Sequence, residues 1–458
     1  MTETSRHVVS VRAFSSLVIS HPFLAAFSVI ALYVTYVRLF TPLRKIPGPF
    51  FGSLTRLWKA GKSHKWDIFS DPTFEGHASN KRLVSNSYSM NSVVELDAYV
   101  QRPINRLIER MDDHARLGKE MNFSDWLAWF AFDVMGEVSF SKQFGFLEEG
   151  RDIDQTLQGI ENMIWSGIVL AELPELYDFS QSRWFRMIPV VGQYGASLNF
   201  LIDVKTDYYR QKALGFIAQR RNGNCVDRRD LLSRFLQLEK NNPAKFDELD
   251  TQILATLNIF AGSDTTSIAL RAILYFMIKD QRVWDKLQKE LDAAVVEGTI
   301  SEAMTYNEAQ KMPFLQACIK EAMRLHPSLG TQHTRLVPKG GVTIDGRYLP
   351  AKTTVGINAW VMHRQKSIFG DDADQYRPER WLESNRGELE RHFMSFGYGA
   401  HVCLGKNIAL LEITKVVPQI VRRFNLRLAD PSEKESYCIS HTFVHQKNFK
   451  VICEARNK

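Results

Sequence analysis

Phe396 to Gly405, reading FGYGAHVCLG, places one cysteine, Cys403, behind a glycine-rich turn and directly ahead of an apolar helical pattern. Gly397 and Gly399 permit backbone angles and close approaches that a side chain would block. From Leu404-Gly405 onward, the run Ile408-Ala409-Leu410-Leu411 reads as the opening of a helix. A sulfur at a helix start meets unbonded N–H groups and the positive end of the helix dipole, and both favour thiolate over thiol. A thiolate in a glycine-lined pocket suits an axial ligand to haem iron, where it pushes electron density onto the metal and promotes O–O cleavage. A buried structural cysteine is the plainer alternative for a lone thiol in a loop.

The spacing F-G-x-G-x-x-x-C-x-G is far more specific than a lone glycine motif, and it resembles the haem-binding signature of the cytochrome P-450 superfamily. The resemblance implies Cys403 as the iron ligand, with Phe396, Gly399, Gly405 and His401 around the haem. His401 stands where most of the family has an arginine facing a haem propionate. A histidine can still donate a hydrogen bond there, with a charge that depends on pH.

The chain has 458 residues, 45% of them hydrophobic and 24% charged, enough for one large globular domain or two ordinary ones. Its net charge of +7 suits a membrane surface or an acidic protein partner, and no arginine-rich tract or zinc-finger spacing supports nucleic-acid binding. The five cysteines, Cys225, Cys318, Cys403, Cys438 and Cys453, are scattered and odd in number, which argues against a disulfide framework and fits a reducing cytosol.

Residues 1–12 form a short tail. Residues 13–37 contain no Asp, Glu, Lys or Arg and are long enough to cross the hydrocarbon core as a single transmembrane anchor. A cleaved signal peptide is the rival, but no small-residue cleavage site follows. Arg38, Arg44 and Lys45 after the span outweigh Arg6 and Arg12 before it, a bias that places the C-terminal bulk in the cytoplasm. Residues 38–52, with Pro47-Gly48-Pro49, read as a stiff basic hinge and resemble the proline-rich hinge of microsomal cytochromes P-450. Residues 53–458 form the remaining domain.

Most of that domain reads as helix. Val100–Leu117 and Leu201–Arg221 show helical apolar spacing. AFDVMGEVSFSKQFGF, within Trp126 to Asp152, is similar to a stretch of fungal members related to pisatin demethylase. Asp247 to Lys279 reads as one long helix with Ala261-Gly262-Ser263-Asp264-Thr265-Thr266 at its centre. Glycine and threonine are unfavourable there, so they need another explanation. Small Ala261 and Gly262 would let a flat cofactor and O₂ approach the backbone, while Asp264 and Thr265 offer an acid and a hydroxyl for proton relay. This resembles the oxygen-activation groove of cytochromes P-450.

Pro313 to His326 is a further helix, on which Glu321 and Arg324 share a face. They resemble the family's E-x-x-R, which meets the arginine of a later motif, matched here by Arg380 in Pro378-Glu379-Arg380-Trp381. The role implied is to hold the scaffold under the haem. Thr331 to Val361 switches to strands, with a hairpin at Val342–Leu349 about Asp345-Gly346. Arg335 matches a family position that pairs with a haem propionate. Ile408–Phe424 is the helix after the cysteine, and Ser440–Val444 resembles the C-terminal turn that reaches the family's substrate pocket.

These features identify a mainly α cytochrome P-450 fold with a small β region. The family implies a haem-thiolate monooxygenase that takes electrons from NADPH through a reductase, docked near basic Lys406, and inserts one atom of O₂ into a C–H bond. The expected substrate is a small lipophilic molecule of fungal secondary metabolism, and the expected state is a monomer on the endoplasmic reticulum membrane. A haem-thiolate isomerase or dehydratase is a second reading, against which Asp264-Thr265 argues. An inactive truncated copy is a third, because the chain is short for the family near 67–75. There the hinge leads almost directly to His77–Met90, which resembles the helix that crosses over the haem.

Overall fold

The computed structural model describes residues 74–161, 210–223, 228–432, 436–440 and 442–456. The expected anchor at 13–37, the hinge at 38–52, residues 67–73 of the short region, residues 201–209 and Cys225 lie outside them. The described chain is mainly helical with small sheets. It divides into two compact units, the smaller described over Thr334–Gly356 and the larger over the rest.

In the larger unit the principal helices are α1 (Phe74–Val84), α2 (Asp97–Leu117), α3 (Phe123–Phe140), α4 (Leu231–Asn241), α5 (Glu248–Lys279), α6 (Gln281–Val296), α7 (Pro313–Leu325) and α8 (Lys406–Arg423). Strands β1 (Glu120–Asn122), β9 (Lys450–Ala455) and β6 (Phe424–Leu428) form an antiparallel sheet in that spatial order. The smaller unit carries the pair β2 (His333–Leu336) and β5 (Thr354–Ile357), and the hairpin of β3 (Val342–Ile344) and β4 (Arg347–Leu349). Asp345 and Gly346 both take positive φ, 49° and 70°, the turn that matches the twist of a two-residue hairpin.

Helix α5 organises the core. Asp250 N–H donates to Asp247 Oδ1 at 3.1 Å and Asp247 N–H to Asp250 Oδ2 at 2.8 Å, a capping box that fixes its start. Its 32 residues extend about 48 Å at the usual rise. The hydroxyls of Ser263, Thr265 and Ser267 donate back to Ile259 O (3.0 Å), Ala261 O (2.8 Å) and Asp264 O (2.8 Å). These three hydroxyls are therefore satisfied within a mostly buried helix. Among the described residues α5 is the one helix long and apolar enough to cross a membrane, but its packing on α3, the most extensive between any two elements, makes it a core helix. On α2 the buried side chains Val100, Ile104, Leu107 and Met111 recur at helical spacing.

The AFDVMGEVSFSKQFGF stretch proves to be a helix end with its own clasp. Asp133 accepts the N–H groups of Gly145 (2.7 Å), Phe146 (3.3 Å) and Leu147 (2.9 Å), pinning the chain after it leaves α3 at left-handed Ser141. Two expectations need correcting. The expected helix His77–Met90 ends at Val84, continues as a 3₁₀ turn at Ser85–Tyr88, and restarts at Met90 under the side chain of Ser89, which accepts from Ser92 N–H. The expected strand region Thr331–Val361 includes a helical turn, Ala359–Met362, because Asn358 Oδ1 caps it by accepting from Trp360 N–H at 2.8 Å.

Candidate active site

The cysteine loop is built by its own backbone. Gly397 and Gly399 take φ of 75° and 69°, and a Cβ on Gly397 would press to 3.3 Å from His401 O, so the turn requires glycine there. Cys403 N–H closes the loop on Phe396 O at 2.8 Å. The cysteine side chain is exposed, while Phe396, His401 and Gly405 are half-buried. Desolvation by surrounding protein raises the Cys403 thiol, and the N–H groups of Gly405 and Lys406, with the ammoniums of Lys81 and Lys406, pull it back. One accessible sulfur with amide donors behind it fits the soft single-thiolate ligation of haem iron.

Beneath the loop the buried carboxylate of Glu321 is saturated. It accepts from Arg324 Nε (2.9 Å) and Nη2 (2.8 Å), Arg380 Nε (2.8 Å), Trp381 Nε1 (2.8 Å) and the Arg377 amide (3.1 Å). Arg324 also donates to the carbonyls of His363 (2.6 Å), Ala373 (2.7 Å) and Gln375 (3.2 Å). The sequence does not announce the next link. His363 Nδ1 lies 2.8 Å from Arg324 O, and its Nε2 accepts from Met394 N–H at 2.7 Å. The amide donor requires an unprotonated Nε2, so the ring is neutral with its proton on Nδ1; burial holds its pKa down at about 4. Ser395 Oγ adds a bond to Met323 O at 2.8 Å. The brace thus runs from Glu321 through Arg324 and His363 to Met394-Ser395, immediately before Phe396.

The centre of α5 separates its predicted residues. Ala261 is exposed, and Thr265 is half-buried with its backbone carbonyl held by Ser328 Oγ at 2.9 Å. Gly262 has a close neighbour on α3. A Cβ there would lie 2.5 Å from Met135 Sδ, so the glycine makes room for α3. Asp264 is buried, and desolvation pushes its pKa up to about 6 against the pull of Arg271. Tyr88 ties α5 to the cysteine helix: its hydroxyl donates to Asn258 Oδ1 at 2.7 Å and its carbonyl accepts from Asn407 Nδ2 at 2.9 Å.

Arg335 lies in the smaller unit, where Nη1 donates to Thr334 O at 2.7 Å and burial lowers its pKa. Sequence reasoning missed His77 and Lys81, one turn apart on α1. His77 stacks on His401 with centroids 3.9 Å apart, and Lys81 Nζ donates to Ala400 O (2.8 Å) and Val402 O (2.7 Å). Their spacing was the available signal. A cavity lined by Phe132, Phe144, Phe146, Ile153, Thr156, Lys212 and Ile259 shares no lining residue with this site.

The donor set is that of a haem-thiolate protein, and comparison with known proteins identifies the family. The cytochrome P450 family model matches residues 59–453, and the chain belongs to that family. Family membership makes it an oxidoreductase and implies a haem iron held by a cysteine thiolate. It is 36% identical over 400 residues to the cytochrome P450 monooxygenase cicH of Emericella nidulans, covering 85% of this chain and 77% of that one. It is 30% identical to the cytochrome P450 monooxygenase gsfF of Penicillium aethiopicum (91% of this chain, 94% of that one) and to pisatin demethylase of Fusarium vanettenii (87% and 86%). The alignment with gsfF runs over 481 positions, more than the 458 residues present here, so part of it faces gaps in this chain.

Proposed function

We propose that this chain is a haem-thiolate monooxygenase that inserts one atom of O₂ into a C–H bond of a small lipophilic molecule, within fungal secondary metabolism. The observation that carries the reading is the accessible Cys403 thiol, locked by its amide to Phe396 and backed by the Glu321–Arg324–His363 brace. When bound, the haem supplies the oxygen activation, and the protein supplies ligand, protons and pocket. Cys403 would hold the iron, and Phe396, Gly399, Gly405 and Ala261 would leave room for the macrocycle. His401 and Arg335 would hold its propionates, and Asp264 with Thr265 would pass protons. Electrons come from NADPH through a reductase that docks on the basic surface near Lys406. The chain works as a monomer, anchored by residues 13–37 in the endoplasmic reticulum membrane with its bulk in the cytoplasm.

The test is spectroscopic. Reduced protein with CO should show the red-shifted absorption of thiolate-ligated haem, and Cys403→Ala should lose it. Retention of that band in the variant removes Cys403 as ligand.

A second reading is a chain missing an internal segment near 67–75, where the hinge leads almost directly to His77; the gsfF alignment gives this chain gaps against that relative, without placing them. Loss of sheet strands and of the lid over the pocket would expose strand edges and admit water. A version restoring the segment should bind haem more fully and resist unfolding better than the chain as written. Transcript sequencing across Trp66 to His77 and parallel expression decide this. If only the short transcript exists, and its product is stable and haem-replete, no segment is missing.

A further inference from the structure

Strand β8 (Val444–Lys447) of the hairpin with β7 (Tyr437–Ser440) runs buried beside the centre of α5. It presents His445 to Asp264. Nε2 lies 3.3 Å from Asp264 Oδ2, and both side chains are nearly sealed from solvent, 6% and 11% exposed. This is ion-pair distance, although the atoms are not aligned as a hydrogen bond. Among the described residues, the other charged groups facing Asp264 are Arg271, Glu161 and Lys447. Arg271 is itself buried, lies 3.4 Å from Gln446 O on the same strand, and faces Asp125 as well as Asp264 and Glu161. Lys447 pairs with Glu161 where the hairpin reaches solvent. Asp152 adds negative charge beside Asp125. Next to His445 in the chain, Val444 O is 2.9 Å from His326 Nε2, whose pKa burial lowers.

Arg271 is the buried cation beside Asp264, whereas Asp125 is exposed and Glu161 half-buried. Asp264 Oδ2 is nonetheless buried without a hydrogen bond among the described residues, and His445 Nε2 stands 3.3 Å from it. A buried carboxylate oxygen left unsatisfied is costly. A proton held between His445 and Asp264 relieves that cost, and a pair this close titrates as a unit. We infer that His445 and Asp264 share one proton, and that His445 reloads Asp264 with a proton from solvent at the Lys447–Glu161 edge. The step is a transfer from His445 Nε2 to the Asp264 carboxylate, which then supplies Thr265. Thr265 donates its own hydroxyl proton to Ala261 O, so its lone pairs stay available to accept. This role rests on the Asp264–Thr265 relay proposed above and adds the residue that feeds it. His445 is a positioning and proton-supplying residue that need not touch haem or substrate.

The experiment uses full-length holoenzyme, with histidine NMR of its reduced CO form and NADPH oxidation and hydrogen peroxide release supported by a reductase, without added substrate. His445→Gln assigns the resonance. In Asp264→Asn the titration midpoint of His445 should move down, because the carboxylate that favours the imidazolium is gone. Thr265→Ala should leave that midpoint in place. His445→Gln should change the pH profile of peroxide release and enlarge its solvent isotope effect, with CO spectrum and haem content unchanged. An unmoved His445 midpoint in Asp264→Asn overturns the shared proton. A moved midpoint with unaltered pH profile and isotope effect in His445→Gln overturns the supply role. If Thr265→Ala leaves the share of NADPH electrons reaching peroxide unchanged, the relay fails instead, and the NMR result still judges the shared proton alone.

Discussion

Glu321→Gln should produce protein that accumulates unfolded or without haem. The side chain keeps its size, yet the change removes the one negative charge that Arg324 and Arg380 enclose, all three being almost completely buried. It also exchanges an acceptor oxygen for an N–H₂ group that confronts donors, since five N–H groups converge on this carboxylate. Breaking a buried pair costs about 3–5 kcal/mol because the stranded charge stays buried, and here Arg324 is stranded while Arg380 keeps Asp372 at 3.3 Å. Folded domains hold about 5–15 kcal/mol in total, so one substitution consumes much or all of the margin. Lys320→Ala, one residue away, is the matched control. Its ammonium pairs with half-exposed Glu390 at 2.6 Å, and such pairs contribute under about 1 kcal/mol. Haem content per protein and urea midpoints for the two variants separate the cases. A Glu321→Gln protein that is haem-replete and unfolds with wild type would show that the fork is dispensable.

Features announced by local chemistry were legible in the sequence. The helices read at Asp247–Lys279 and Pro313–His326 are found at Glu248–Lys279 and Pro313–Leu325. The β3–β4 hairpin followed from Asp345-Gly346, a pair suited to the two-residue turn with both φ positive. Glu321, Arg324 and Arg380 were found together because their spacing is distinctive even across a long separation. What stayed hidden depends on partners distant in the chain. The close approach of Met135 to Gly262 could not be read from the sequence. His363 carries no motif, and its place between Arg324 and Met394 exists only once α7 and the cysteine loop are folded against it. His445 is equally silent, since nothing in the sequence indicates that β8 runs beside Asp264. Glu412, on α8, is buried with neither carboxylate oxygen hydrogen-bonded among the described residues, and burial raises its pKa well above that of a free carboxyl. Its position within an apolar helical run gave no hint of that cost.

His363 should set an acid limit on the fold and on thiolate ligation together. Burial holds its imidazole at about 4, against 6.5 for the unhindered group. Between those values the unfolded chain binds a proton that the folded chain refuses, so stability rises with pH in that interval. The contribution is fully present above about pH 6.5, declines as pH falls, and is spent below about 4, a total of about 3 kcal/mol at 1.36 kcal/mol per unit. Asp264 works in the opposite sense. Its folded value near 6 exceeds the free carboxyl's 3.8, so its stabilising contribution is lost as pH rises through that range. The two slopes overlap, and wild-type stability alone will not isolate either. The informative quantity is the difference in unfolding free energy between wild type and His363→Gln, measured by urea titration at several pH values. At pH 7 wild type should lead, because Gln reproduces the two ring bonds imperfectly. By pH 4 that lead should shrink by about 3 kcal/mol, since Gln does not titrate. Protonated Nε2 can no longer accept from Met394 N–H, so in the folded protein acid below about pH 4 should loosen Met394–Phe396 and with it the carbonyl that holds the Cys403 amide. The red-shifted CO band of wild type should therefore fade as pH falls through about 4, while His363→Gln shows no such pH dependence. A wild type–variant difference that is flat from pH 7 to 4 would mean that His363 is not the buried neutral base its contacts require.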